Sequence, residues 1–168
     1  GPMVDVKTLP PMRIATLNIT VPDVLTVSEA DGYKPNADIV WREDLFGDRH
    51  AQVEAIFREG MGRGVKAIRG NLPVVVDITV LQFHALTERT RYSIGGIHAI
   101  KFSLQVRNAE TGDVLIPTYN VRADLRAFGG LEAMIAERQG LTQKVRIVGH
   151  LSSVIQSQLT GLGYTPPP

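Results

Sequence analysis

From Arg13 to Val21 apolar and polar residues alternate, with Ala15, Leu17, Ile19 and Val21 on one side and Thr16, Asn18 and Thr20 on the other. A period of two is that of a half-buried strand. Pro22 interrupts it, and Val24 to Val27 extends it after a bend, since proline suits a strand edge or bulge. Residues 28–47 are turn-rich and hold the only tryptophan, Trp41. Asp48 reads as the N-cap of a helix reaching about Ala67. The stripe of that helix is Val53, Ile56, Phe57, Gly60 and Gly64. Two glycines on a buried face each cost about 1 kcal/mol of helix propensity, which close approach of the helix to a sheet would offset.

After Gly70-Asn71 the period returns to two. Pro73 to Tyr92 is β-rich: Val74, Val76, Ile78 and Val80 alternate, then Leu81, Phe83 and Ala85 take the opposite phase, which predicts a β-bulge. Glu88, Arg89 and Arg91 read as an exposed strand end. The Ser93-Ile94-Gly95-Gly96 loop leads into a clean alternation from His98 to Arg107. The turn Asn108–Asp113 leads into a fourth strand, Val114 to Phe128. Polar residues on every second position predict a sheet covered on one side only. Leu131 to Gln139 is a short helix, and Thr142 caps a longer one to about Thr160. Val145, Val148, Ser152, Ile155 and Leu159 line its inner face, and Ile147, Leu151 and Val154 widen that face. So broad an apolar arc is either sandwiched or available to a partner.

The expected fold is therefore α+β: a four-stranded, mainly antiparallel sheet with two main helices packed on one face, in the order β-α-β-β-β-α. One domain spans residues 13–163, between a lead-in at 1–12 and a Pro-rich tail at 164–168. Gly1-Pro2-Met3 reads as the remnant of a cleaved tag before an initiating residue. A signal peptide or lipid-bearing cysteine upstream would then have been trimmed away.

Composition narrows the function by exclusion. Eighteen basic against 17 acidic residues leave a net charge of +1, with no clustered basic face for nucleic acid. No apolar run approaches the roughly 20 residues that cross a bilayer. The absence of cysteine removes disulfides, Cys-type zinc sites and thiol nucleophiles. His50, His84, His98 and His150 lack metal-ligand spacing, so no metal or other cofactor is expected. There is no Gly-x-Ser-x-Gly elbow. Ser93 before Gly95-Gly96 is better explained by hairpin geometry than by catalysis. Gly60-Met-Gly-Arg-Gly64 lies at a helix end, where a phosphate loop does not belong. Asp77, within Val74–Ile78, falls by parity on the solvent face as a structural acid.

The run Arg91-Tyr-Ser-Ile-Gly-Gly-Ile-His-Ala-Ile-Lys-Phe-Ser-Leu-Gln-Val-Arg-Asn-Ala-Glu-Thr-Gly-Asp-Val-Leu115 resembles a pattern in small Gram-negative envelope lipoprotein domains. There a Gly-rich loop feeds an alternating strand that ends in an Asp-Ala-x-Thr-Gly-x-Val-Leu-like turn. Here Asn108 stands where Asp is common. Over about residues 12–162 the layout also resembles auxiliary lipoproteins of envelope transport systems and the lipopolysaccharide-assembly lipoprotein. The resemblance implies a non-enzymatic periplasmic module, held to the outer membrane only through an N-terminal anchor, that binds an envelope protein partner or a lipid-like ligand. A cytoplasmic oligomerisation domain forming a homodimer, or a small hydrolase built around residues 28–47, are the alternatives. The expected contact surface is Trp41 and Phe46 in the long loop, then Tyr92 and the Gly95-Gly96 turn, because exposed aromatics make good anchors.

Overall fold

The computed structural model describes residues 1–33, 35–91 and 95–164. Strand β1 (Met12–Thr20) is followed by the short β2 (Ile39–Val40) and helix α1 (Arg49–Lys66). Then come β3 (Leu72–His84), a single helical turn α2 (Glu88–Arg91), β4 (Gly96–Asn108), β5 (Val114–Arg122) and β6 (Leu125–Ala127). Helices α3 (Gly130–Arg138) and α4 (Gln143–Thr160) close the chain. A 3-10 turn at Val6–Thr8 precedes β1, and Val6 and Leu9 pack against the core.

The sheet is mixed and six-stranded, where four mainly antiparallel strands were expected. It nevertheless has four rows. β1 and β2 lie end to end along one edge of β3, both parallel to it. The parallel pairing follows from the crossover through α1, because a strand that returns by way of a helix re-enters in the same direction. On the other side β4 is antiparallel to β3 and to both β5 and β6. The single strand expected over Val114–Phe128 is broken at Ala123-Asp124. There the Asp124 carboxylate accepts the Ile100 N–H at 3.0 Å, standing in for a ladder carbonyl. The bulge expected near Leu81 is present, as a register shift between Val80 and Gln82. A second bulge at Ala15 turns Ile14, not Ala15, toward the core. Val24–Val27 does not extend β1; Val27 makes only an isolated bridge to Ile39.

Alternate residues of β3 and β4 are buried under α1 and α4. An edge-to-face aromatic chain, Trp41–Phe83–Phe57–Phe102, runs through this core with ring centroids 5.6–6.1 Å apart. The opposite face is a polar ladder, with Asn18, Asp77 and Gln105 in one register row and Thr20, Thr79, Ser103 and Asn120 in the next. Asp77 bonds Arg107 at 2.7 Å and Asn18 at 2.9 Å. The Arg107 guanidinium holds its carboxyl below the usual range, against partial burial.

The α1 glycines serve a helix-to-helix contact rather than the expected helix-to-sheet one. A Cβ on Gly60 would lie 2.9 Å from the Val148 carbonyl oxygen, and one on Gly64 would lie 2.5 Å from that of Ser152. The wide apolar arc of α4 is thus sandwiched between the sheet and α1. Val145, at its start, is the exception and is exposed.

His150 on α4 is buried, with Nε2 3.0 Å from the Ala123 carbonyl and Nδ1 3.0 Å from the Tyr164 hydroxyl. The carbonyl can only accept, so Nε2 carries the proton and the Tyr164 hydroxyl donates to Nδ1. Burial lowers the pKa of this imidazole, opposed by the backbone bonds at Ala123 and Asp124. The unfolded chain therefore binds the proton first as pH falls below about 6.5. Stability from this residue is complete above that pH and is lost on the way down to the folded pKa. An NMR titration of the His150 ring should place its midpoint below that of an ordinary histidine. The acid loss of stability should be shallower in His150→Gln. Ordinary titration near 6.5 would contradict this assignment.

Candidate functional site

The long loop before α1 is tied down residue by residue. Arg49, in the first turn of α1, is buried and forks onto the Glu29 carboxylate with two bonds of 2.9 Å. Its Nη1 also donates to the carbonyls of Asp44 (3.0 Å) and Leu45 (3.4 Å). Guanidinium geometry suits such forked bonding. The Arg49 bond is the main reason the Glu29 carboxyl sits below its ordinary pKa. Arg42 pairs with Glu88 at 2.6 Å, so the α2 turn anchors the loop rather than ending a strand as expected. Thr87 donates to the Gly32 carbonyl and Asp31 accepts the Arg89 N–H, adding further ties.

The next stretch is docked onto the start of α4. Glu43 accepts the Gln143 and Lys144 N–H groups at 3.1 and 3.0 Å, and the Thr142 hydroxyl accepts that of Val145. These bonds satisfy donors that a helix start leaves without intrahelical partners. Asp44 accepts the Trp41 indole N–H at 2.7 Å and pairs with Lys144. Burial works to raise the Asp44 pKa, but the bonds from Lys144 and Trp41 prevail and lower it.

The result is a fixed loop with a bare tip. Leu45 is 91% exposed and Phe46 83% exposed, side by side. Gln52 and Arg49 hold the Leu45 carbonyl from below. A surface groove lined by Leu45, Ala51, Gln52, Ala55, Ile56 and Lys144 runs beside the tip.

Of the residues expected at a contact surface, Phe46 is at the surface and Trp41 is not. Trp41 is 1% exposed, wedged against Phe83, and it positions the tip without forming it. Gly95 has φ +71°, and a Cβ there would meet the Gly129 backbone at 3.0 Å, so this glycine serves close packing. Gly96 begins β4 opposite Ala127. Tyr92 lies outside the described residues. Leu45 was missed by sequence reasoning, which looked only for aromatics in the loop.

A second apolar area was also missed. Helix α3 buries Ala133 and Ala136 and turns Leu131, Met134 and Ile135 outward; Leu141, in the turn after it, and Val145 on α4 are exposed as well. Three of the histidines place a ring nitrogen 2.8–3.0 Å from a backbone carbonyl: His50 at Leu25, His84 at Pro35 and His150 at Ala123. His98 Nδ1 accepts the Leu86 N–H. Among the described residues no helix is long and apolar enough to cross a membrane.

A family model described as a family of unknown function, DUF6778, matches residues 12–167, and the chain belongs to that family. No curated protein matches. Among solved structures the chain is similar to one from Caulobacter crescentus CB15 described as a "putative lipoprotein", with 16% identity over 64% of this chain and 80% of that one (TM-score 0.34). It is also similar to a DUF330 protein of Xanthomonas campestris, with 12% identity over 90% and 85% of the two chains (TM-score 0.41). A third similarity is to a PelC dodecamer from Paraburkholderia phytofirmans, with 10% identity over 86% and 91% (TM-score 0.34).

Proposed function

We propose that this DUF6778-family chain is a non-enzymatic binding and assembly module of the bacterial cell envelope, and that it grips a protein partner with the Leu45–Phe46 tip. The observation that carries the reading is the tip itself. Two adjacent large apolar side chains stand almost fully exposed on a loop held by Arg49, Trp41 and Glu43. Apolar anchors held rigid before binding lose little entropy on docking, which is how a small contact gains affinity. The envelope address is supported by the likeness of residues 91–115 to envelope lipoprotein domains. The non-catalytic reading is supported by the histidines, whose bonds to backbone groups fit structural duties.

The test is photo-crosslinking in cells that naturally make the protein. A photoreactive phenylalanine at position 46 should give a discrete adduct in the envelope fraction. The same probe at Val24, equally bare at 86% exposure, should not. Equal labelling from both positions, or none from either, would remove the tip as the contact surface. An adduct at twice the mass of the chain would replace the partner with a second copy.

A further inference from the structure

Where α3 meets α4, the structure leaves a donor and an acceptor facing a small cleft. Phe128, Ala133, Leu141, Gln143 and Arg146 line it, and its volume of about 10 Å³ admits one oxygen-sized atom. Gln143 is 8% exposed, and its Oε1 has no hydrogen-bond partner among the described residues. The same is true of Arg146 Nη2. Buried polar atoms are rarely left in this state, and one oxygen-bearing group entering the cleft could satisfy them. The Gln143 amide can rotate, exchanging its oxygen for a second N–H donor.

Charge decides what enters. The Arg146 guanidinium stacks on Phe128 at 3.7 Å from the ring centroid, and Arg126 approaches the same ring at 5.2 Å. Glu132 is bonded to Arg126 at 3.1 Å and is half exposed. Partial burial and the neighbouring Arg126 both disfavour the Arg146 charge, while Glu132 favours it. An added anion would relieve that cost. Leu141 lines the cleft and is itself exposed, so it forms an apolar rim at the mouth, with the Phe128 ring on the wall.

We propose that this junction receives the carboxylate of a partner chain that ends in an apolar residue, one oxygen entering between Arg146 and Gln143. A chain end carries its carboxylate and its side chain on one carbon, which matches an anion slot whose wall, Leu141, is also its apolar rim. The site names the chemistry of a partner but does not depend on the Leu45–Phe46 tip, since the two are read from different positions.

The probe is N-acetyl-leucine, titrated into the intact protein and followed by NMR at the Arg146 Nε–H and Gln143 side-chain amide signals. The expected result is a saturable shift that weakens as salt is raised. N-acetyl-leucinamide should bind at least tenfold more weakly, about what one charge-assisted hydrogen bond is worth. Arg146→Met should abolish the difference between the two probes. Because the paired probes are compared on the unaltered chain, the result does not depend on that variant folding. Equal shifts with both probes, or none with either, would overturn the proposal.

Discussion

Gly64→Val should destabilise the protein by about 3 kcal/mol, measured as a drop in the urea midpoint. A Cβ at this position would lie 2.4 Å from Ile155 Cγ2 and 2.5 Å from the Ser152 carbonyl oxygen. The side-chain contact could turn aside, but the carbonyl belongs to the α4 backbone and cannot. The helices would have to separate along the seam where Gly60 and Gly64 meet Val148, Leu151, Ser152 and Ile155. Gly62, two residues earlier on the same helix, has nothing within 4 Å of its would-be Cβ. Gly62→Ala should therefore stabilise by about 0.5–1 kcal/mol through helix propensity alone. Opposite signs from two glycines in one helix would locate the contact with α4. Equal losses at both would refute it.

Arg49→Leu should cost about 2 kcal/mol and loosen the tip. The variant removes the bidentate partner of Glu29 and strips a donor from the Asp44 and Leu45 carbonyls. Hydrogen bonds to charged groups are worth roughly 1.5–3 kcal/mol each. Glu29 is about a third exposed, so water re-solvates part of its freed charge and the total stays at the lower end. Arg49→Lys should recover less than half of the loss, because an ammonium cannot reproduce the fork. Faster amide exchange across residues 42–46 should accompany the loss in both variants. If stability falls while exchange there is unchanged, Arg49 supports the core and not the tip.

Where a single period governed a segment, it was legible in advance. The alternation of β4, the phase change in β3 and the caps Asp48 and Thr142 all appear where the residues put them. Legibility failed where two elements compete for one pattern. Tyr119–Arg126 alternates without a break, yet the Asp124 side chain takes a ladder bond and splits the strand there. Glu88–Arg91 follows a strand but forms a helical turn that carries the partner of Arg42. In α3, both the alanines and the large apolar residues recur at helical spacing, so periodicity could not choose its inner face. In the fold it is Ala133 and Ala136 that face inward.

The contact surface shows the same division. An aromatic in a loop reads identically whether it anchors the loop or a partner, and only packing separated buried Trp41 from bare Phe46. Local period and turn chemistry were enough for the main strands and helices, their order along the chain and a sheet with one polar face, but not for β2, the α2 turn or the break between β5 and β6. Tertiary structure alone decided that α1 meets α4 through glycines, that Glu43 caps a helix about 100 residues away, and which apolar residues stay outside. Those outcomes depend on which distant surfaces meet, and residue spacing along the chain carries no record of that.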